Sequence, residues 1–271
     1  MTDVATPSSV TTPPAARRTS FLHGMRVVGY RAVRSIPKEP ETAIPAIVVP
    51  VFFFVVNIGA LQNVAEFADP SFDYKAFQLP VAIIFAVTGI SRASLLVTDI
   101  QDGYFDRLLM TPVHRRALLL GLMIADFVLV VALSIPVLAL GFAVGVRFET
   151  GIPGILLFTL MGALWGLVFT GFPYSIALKT GNPGAVNSSF ILFFPFAFLT
   201  TSFLPQEALT GWLSAIATWN PVTYLLAGMR ALVSDGWDWT AIGQAFLAIL
   251  GVGILTQTLA LAALKGRVAR G

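Results

Sequence analysis

Residues 99–121 read DIQDGYFDRLLMTPVHRRALLLG, and the reading of this stretch decides the fold. Asp99, Asp102, Asp106, Arg107, His114, Arg115 and Arg116 crowd into it, in a chain of which only 11% is charged. Long apolar runs flank it, FQLPVAIIFAVTGISRASLLVT at 77–98 and ALLLGLMIADFVLVVALSIPVLALGFA at 117–143. Each exceeds the ~20 residues that an α-helix needs to cross a ~30 Å hydrocarbon core. The stretch therefore reads as a charged loop joining two membrane-crossing helices.

Working outward, residues 42–62, 153–178, 187–204 and 240–264 give four more apolar stretches, for six spans in all. Composition agrees: 56% of the chain is hydrophobic, against roughly 45–50% apolar and ~25% charged residues in a soluble domain. The chain has no cysteine, which excludes disulfides, thiolate metal sites and thiol nucleophiles. Its two histidines, His23 and His114, are too far apart to suggest a metal cluster. The predicted fold class is an all-α polytopic membrane protein.

Orientation follows from lysine and arginine in the flanks. With the N-terminus inside, thirteen basic residues fall in inner flanks, against Lys75, Arg147 and Arg230 outside. Both termini are thus expected in the cytoplasm, together with the 99–116 loop. This placement also assigns the +3 net charge to a membrane surface rather than to nucleic acid. Residues 1–19, rich in Pro, Ser and Thr, read as a disordered cytoplasmic tail. Residues 20–36 read as a basic amphipathic helix lying in the interface, with Phe21, Met25, Val28 and Ala32 on its apolar side. The six-span domain fills 37–265, and 266–271 form a second cytoplasmic tail.

Residues 205–237 resist a single span. Asn220-Pro221 divides two apolar pieces, each too short to cross, and proline disfavours helix at the residue before it. Fusing them would move the basic C-terminus outside. The expectation is an outer re-entrant helical hairpin before the last span, with Trp212, Trp219, Trp237 and Trp239 at the membrane–water boundary.

Charge within the spans narrows the search for function. Arg92 and Asp126 lie on consecutive antiparallel helices, both roughly 10–15 Å above the inner boundary by the 1.5 Å helical rise. Such charges usually have a partner or a role. An ion pair fixing helix register and a part in gating or substrate contact both stay open. In the fifth span Phe190, Phe193, Phe194, Phe196 and Phe198 surround Pro195, either as lipid-facing filler or as an aromatic wall. Gly162 and Gly166 form a small-xxx-small pattern that permits close helix packing. In the charged loop, Tyr104, Phe105, Leu108, Leu109 and Met110 add apolar contact area between the ions. That combination reads either as a solvated connector or as a short amphipathic helix offered to a cytoplasmic partner.

The run Asp-Gly-Tyr-Phe-Asp-Arg-Leu-Leu-Met-Thr-Pro-Val at 102–113 resembles the cytoplasmic coupling segment of type-2 ATP-binding-cassette (ABC) exporter permeases. Trp219-Asn220-Pro221-Val222-Thr223-Tyr224, followed by Arg230, is similar to the segment before the last span of that family, and Phe203-Leu204-Pro205 also fits. The likeness covers residues ~20–265 and is nearest the daunorubicin-resistance type of drug exporter. Asp99-Ile100 stands where the family often has Glu-Arg.

The resemblance implies a transport subunit that dimerises with a second copy or a paralogue and docks two copies of a separate ABC ATPase. It implies coupling residues Asp99, Asp102, Gly103, Tyr104, Phe105, Asp106, Arg107, Leu108, Leu109, Pro112, Arg115 and Arg116. The second and fifth spans would line the substrate path, placing the phenylalanines there, and Asn220, Pro221, Tyr224 and Arg230 would mark the outer hairpin. The chain would bind no cofactor and no metal, leaving ATP and magnesium to the ATPase. A G-x-x-x-x-G-K-[ST] phosphate loop is missing, and Gly181-Asn182-Pro183-Gly184 lacks the lysine, so no enzyme is expected. The cargo would be a hydrophobic or amphiphilic compound leaving across a bacterial plasma membrane, with polysaccharide or lipid-linked glycan as the alternative. A secondary transporter would show matching broken helices in its two halves, and no such repeat is visible.

Overall fold

The computed structural model describes residues 21–35, 40–88, 91–110, 115–191 and 193–269. These residues form helices and connecting turns, with no strand among them. An α-helix satisfies its backbone polar groups internally, which is what a hydrocarbon solvent demands of so apolar a chain. Five helices are long and apolar enough to cross a membrane: Ile47–Ala68, Tyr74–Gln101, Ala117–Ala143, Gly151–Thr180 and Trp239–Val268. The expected fifth span, 187–204, falls on a shorter apolar helix, Pro183–Phe198. The tail predicted at 1–19 and the last two residues of the C-terminal tail lie outside the described residues.

Helix α1 (Phe21–Ser35) packs on α6 (Arg115–Ala143) through the Val28 and Ala32 side that the sequence marks as apolar. The approach is close because Gly121 has no side chain: a Cβ there would lie 2.8 Å from Val28 Cβ. Helix α2 (Pro40–Ala68) buries little, leaving Ile44, Val48, Phe52, Val55 and Val56 exposed. Exposed aliphatic and aromatic side chains on a helix of this length and composition suit an apolar environment rather than water.

Two of the apolar runs are divided at described residues. The second divides into α3 (Tyr74–Thr88) and α4 (Ala93–Gln101), and a short α5 (Tyr104–Leu109) follows before α6. The fourth divides at Thr170 between α7 (Gly151–Phe169) and α8 (Gly171–Thr180). Beside it a Cβ on Gly171 would lie 2.7 Å from the Thr256 carbonyl of α13 (Trp239–Val268), so only glycine lets these backbones meet. Helices α9 (Pro183–Ile191) and α10 (Phe193–Phe198) lie on either side of residue 192 within the shorter apolar stretch. The small-residue pattern packs as its spacing suggests: a Cβ on Gly162 would lie 3.0 Å from Ile83, and one on Gly166 2.9 Å from Val130.

Residues 205–237 hold α11 (Gly211–Trp219) and α12 (Pro221–Arg230), followed by a π-helical turn, Ala231–Asp235. At a 1.5 Å rise each helix is about 15 Å long, half of a ~30 Å core. The four tryptophans named from the sequence are all exposed. Two large apolar cores result, beside a small cluster of Leu129 and Leu133. One, around Leu79, Ile83, Trp165 and Met229, fills the middle of the bundle and the α12 end. The other, around Ala32, Phe105, Tyr174 and Leu264, closes the α5 end.

Candidate functional site

The α5 end is built from residues far apart in sequence. Gly103 adopts φ +67°, a left-handed turn that favours glycine, and it redirects the chain from α4 into α5. Phe105, 3% exposed, points into the core with Ala32, Ile100 and Tyr174. This aromatic side chain, expected to offer contact area to a partner, instead anchors α5 to its own bundle. Asp99 accepts a hydrogen bond from Arg31 of α1 at 3.3 Å, and the same guanidinium lies 4.3 Å over the Tyr104 ring. Asp106 accepts from Arg267 of α13 at 3.1 Å. Arg107 folds back to donate to the carbonyls of Gly103 and Asp102.

Asp102, Asp106, Arg107 and Met110 remain exposed, Met110 at 80%, while Leu108 is half-buried. Pro112 and the side chains of Leu109, Arg115 and Arg116 lie outside the described residues. The sequence reading missed Arg31 and Arg267 as partners of the loop. Their basic charge had been used only to orient the chain.

Arg92 and Asp126 do meet. Asp126, fully buried, accepts the backbone N–H of Arg92 at 2.9 Å through Oδ1 and the Tyr174 hydroxyl at 2.7 Å through Oδ2. The carboxylate thus satisfies the N-terminus of α4 where the second run is broken, a task usually done by a local capping side chain. The Arg92 guanidinium donates to the Ala32 carbonyl, tying the break to α1. Tyr174, absent from the expected site, completes the cluster from α8. Only the tertiary fold reveals it.

The phenylalanines separate into three placements. Phe193 and Phe198 gather with Phe194 around Phe85 of α3, with ring centroids at 5.9, 5.8 and 6.3 Å, and Phe53 of α2 stacks on Phe85 at 6.0 Å. Phe190 instead packs at the α5-end core, and Phe196 is exposed. Phe53 and Phe85 escaped the sequence reading because each looks like lipid-facing filler in its own helix.

At the start of α12, Asn220 does three things. Its Oδ1 caps α12 by accepting from Val222 N–H at 3.0 Å, with Pro221 in the first turn. Its Nδ2 donates to the carbonyls of Phe196 and Leu199 at 2.7 and 3.0 Å, satisfying groups left over at the end of α10. The Tyr224 hydroxyl donates to the Thr218 carbonyl. Arg230 clamps α12 to α3 and to the segment after α10. It donates to the Phe77 carbonyl and to Thr201, and lies 3.5 Å over the Phe77 ring.

Beside Arg230 opens a cavity of about 790 Å³. Asp69, Asp73, Glu149, Glu207, Asp235 and Asp238 line it, against Arg147 and Arg230. The Ser71 hydroxyl, then its backbone N–H, holds Asp69 below the ordinary carboxylate range, whereas burial, then the charge of Asp238, pushes Asp235 up. Among the described residues no three acidic or histidine side chains are grouped to hold a metal ion.

Comparison with known proteins bears on this arrangement. A family model described as ABC-2 type transporter matches residues 25–233. A daunorubicin-resistance ABC transporter permease of Streptomyces coeruleorubidus is 27% identical over 220 residues, 77% of this chain and 75% of the relative. A protein named as a doxorubicin-resistance ABC transporter permease in Mycobacterium tuberculosis is 26% identical over 196 residues, 72% and 71% of the two chains. A transport permease, ycf38, of Pyropia yezoensis is 25% identical over 273 residues, 92% and 91%.

Proposed function

Because the chain belongs to the ABC-2 type transporter family, we propose that it exports a hydrophobic or amphiphilic compound, drug-like or lipid-like, with ATP hydrolysed by a separate ATPase subunit. It works as a dimer, with a second copy or a paralogue, and two ATPase subunits dock on it from the cytoplasm. The α5 end faces the cytoplasm with both termini, α1 lies at the inner interface, and Pro183–Phe198 serves as a short fifth span. The α11–α12 hairpin then sits on the outer face of a bacterial plasma membrane.

The observation that carries the reading is the construction of α5. Phe105 anchors it from beneath, Asp99 and Asp106 tie it to α1 and α13, and Asp102, Arg107 and Met110 are left facing outward. A solvated connector has no need of such bracing. A lever does, because force applied to α5 passes directly into α1, α4 and α13. Drug-resistance relatives support an apolar or amphiphilic cargo over the glycan alternative.

The exposed face and the buried anchor should respond differently to mutation. Met110→Asp and Arg107→Ala should reduce co-purification of the partner ATPase severalfold and uncouple its hydrolysis from cargo in vesicles, while thermal melting stays unchanged. Phe105→Ala should lower melting itself, by the ~3–5 kcal/mol typical of a buried phenylalanine truncation. If Met110→Asp and Arg107→Ala leave association and coupled hydrolysis intact, α5 is not the docking element.

A further inference from the structure

Hydrocarbon offers a side-chain amide no hydrogen bond, so a polar group within a span is expected to find its partner in protein. Most do here. Ser134, Thr159, Thr256 and Thr258 each return their hydroxyl to a carbonyl one turn back on their own helix. Asn57 does not. It lies at the middle of the 22-residue span Ile47–Ala68, half-buried, and makes no hydrogen bond with another described residue.

A second amide faces the same cleft. Gln78 of α3 is 1% exposed, and its Nε2 donates to the Tyr74 hydroxyl and the Ser202 carbonyl. Its Oε1 accepts from no described residue and is open to the cleft that Asn57 lines. A buried polar side chain with an unused acceptor calls for an explanation. Phe53, Phe85, Phe198 and Phe203 wall the cleft, and no charged side chain lines it.

Free room between these walls is about 10 Å³, roughly enough for one water. A sugar or a phosphate is too large, and an ammonium would enter without a counter-charge. A hydroxyl fits: it donates to Gln78 Oε1 and accepts from Asn57 Nδ2. A trapped water needs a polar site with roughly two to four partners, whereas here phenylalanine rings surround two amides. Such walls with a few placed polar groups suit an apolar molecule that carries one small polar tip.

We propose that the cleft between α2, α3 and the end of α10 selects cargo through a hydroxyl. Asn57 and Gln78 hold that group, and the apolar body packs on Phe53, Phe85 and Phe198. This rests on the exporter reading and narrows its cargo to uncharged, hydroxylated molecules.

The test uses the full chain in phosphatidylcholine nanodiscs and energy transfer from its tryptophans to three pyrenes. These are 1-pyrenemethanol, 1-methylpyrene and protonated 1-pyrenemethylamine. Each is compared between wild type and variant in discs of one lipid, so partitioning into the bilayer cancels. Asn57→Leu should weaken 1-pyrenemethanol about three- to tenfold, the range for one neutral hydrogen bond. It should leave the other two pyrenes within about twofold, and melting should not fall, because the amide holds nothing else in the chain. Gln78→Met should repeat the pattern at lower melting, since Tyr74 and Ser202 lose a donor. Phe198→Leu should weaken 1-pyrenemethanol and 1-methylpyrene alike. Asn63→Leu, on the same helix outside the cleft, should change nothing.

Equal loss of all three pyrenes in Asn57→Leu, or no loss, overturns the proposal and leaves the cleft to a trapped water. A lower dimer fraction in Asn57→Leu with unchanged 1-pyrenemethanol binding also overturns it, and assigns the amide to the contact between copies. The pyrene titrations use the permease alone. Absence of hydroxyl selectivity beside intact ATPase association therefore sinks only this site, and the converse sinks only the exporter reading.

Discussion

Asp126 shows how one buried carboxylate can organise a break in a membrane helix. Its two oxygens take one main-chain N–H from Arg92 and one hydroxyl from Tyr174, so three segments converge on a single side chain. Removing one partner from a buried polar pair leaves the other unsatisfied, at a cost of ~1–3 kcal/mol. Tyr174→Phe should therefore destabilise by about that much, and Asp126→Ala by more, because it also uncaps α4. Since both act through one carboxylate, the double variant should be less destabilised than the sum of the singles. Strictly additive shifts in detergent-solubilised melting would show that the hydroxyl and carboxylate do not cooperate.

At the scale of the element, α5 is too short to be stable alone, since isolated helices below ~12–15 residues are marginal in water. Phe105 supplies its hold on the bundle, and the Asp106–Arg267 pair sets its angle against α13. Both charges are partly solvated, so the pair contributes only ~0.2–1 kcal/mol to stability. Its value is directional. Asp106→Arg or Arg267→Asp alone should leave melting nearly unchanged yet weaken ATPase association several-fold. Exchanging the two charges in one variant should restore it. A double variant no better than the singles would mean that Arg267 does not steer α5.

For the whole molecule, the absence of native cysteine makes orientation directly measurable. Cysteines introduced at Ser9 and Gly271 should be shielded from a membrane-impermeant thiol reagent in intact cells, and cysteines at Asp69 and Ser234 should react. Labelling of position 271 from outside would refute the proposed topology. The same experiment bears on the cavity beside Arg230, because Asp69 and Ser234 both line it.

Hydropathy alone determined that the chain is helical and crosses a membrane, because a span is specified by some twenty consecutive residues and needs no distant partner. The charged 99–116 stretch and the Asn220-Pro221 step were legible for the same reason: a local pattern carries each. The sequence also brought Arg92 and Asp126 together, since their depths follow from counting residues along two joined helices. It could not foresee that the contact runs through the Arg92 main chain, nor that Tyr174 shares the carboxylate, because helix breaks and third partners arise from packing. Phe105 looked like a surface contact from its charged neighbours and became an anchor once α1, α6 and α13 closed around it. The acidic cavity was equally hidden, its six carboxylates spread from Asp69 to Asp238 and gathered only when the ends of α2 and α6 met the residues flanking α11 and α12. Local chemistry decides which segments enter the membrane, and tertiary packing decides which side chains share a site.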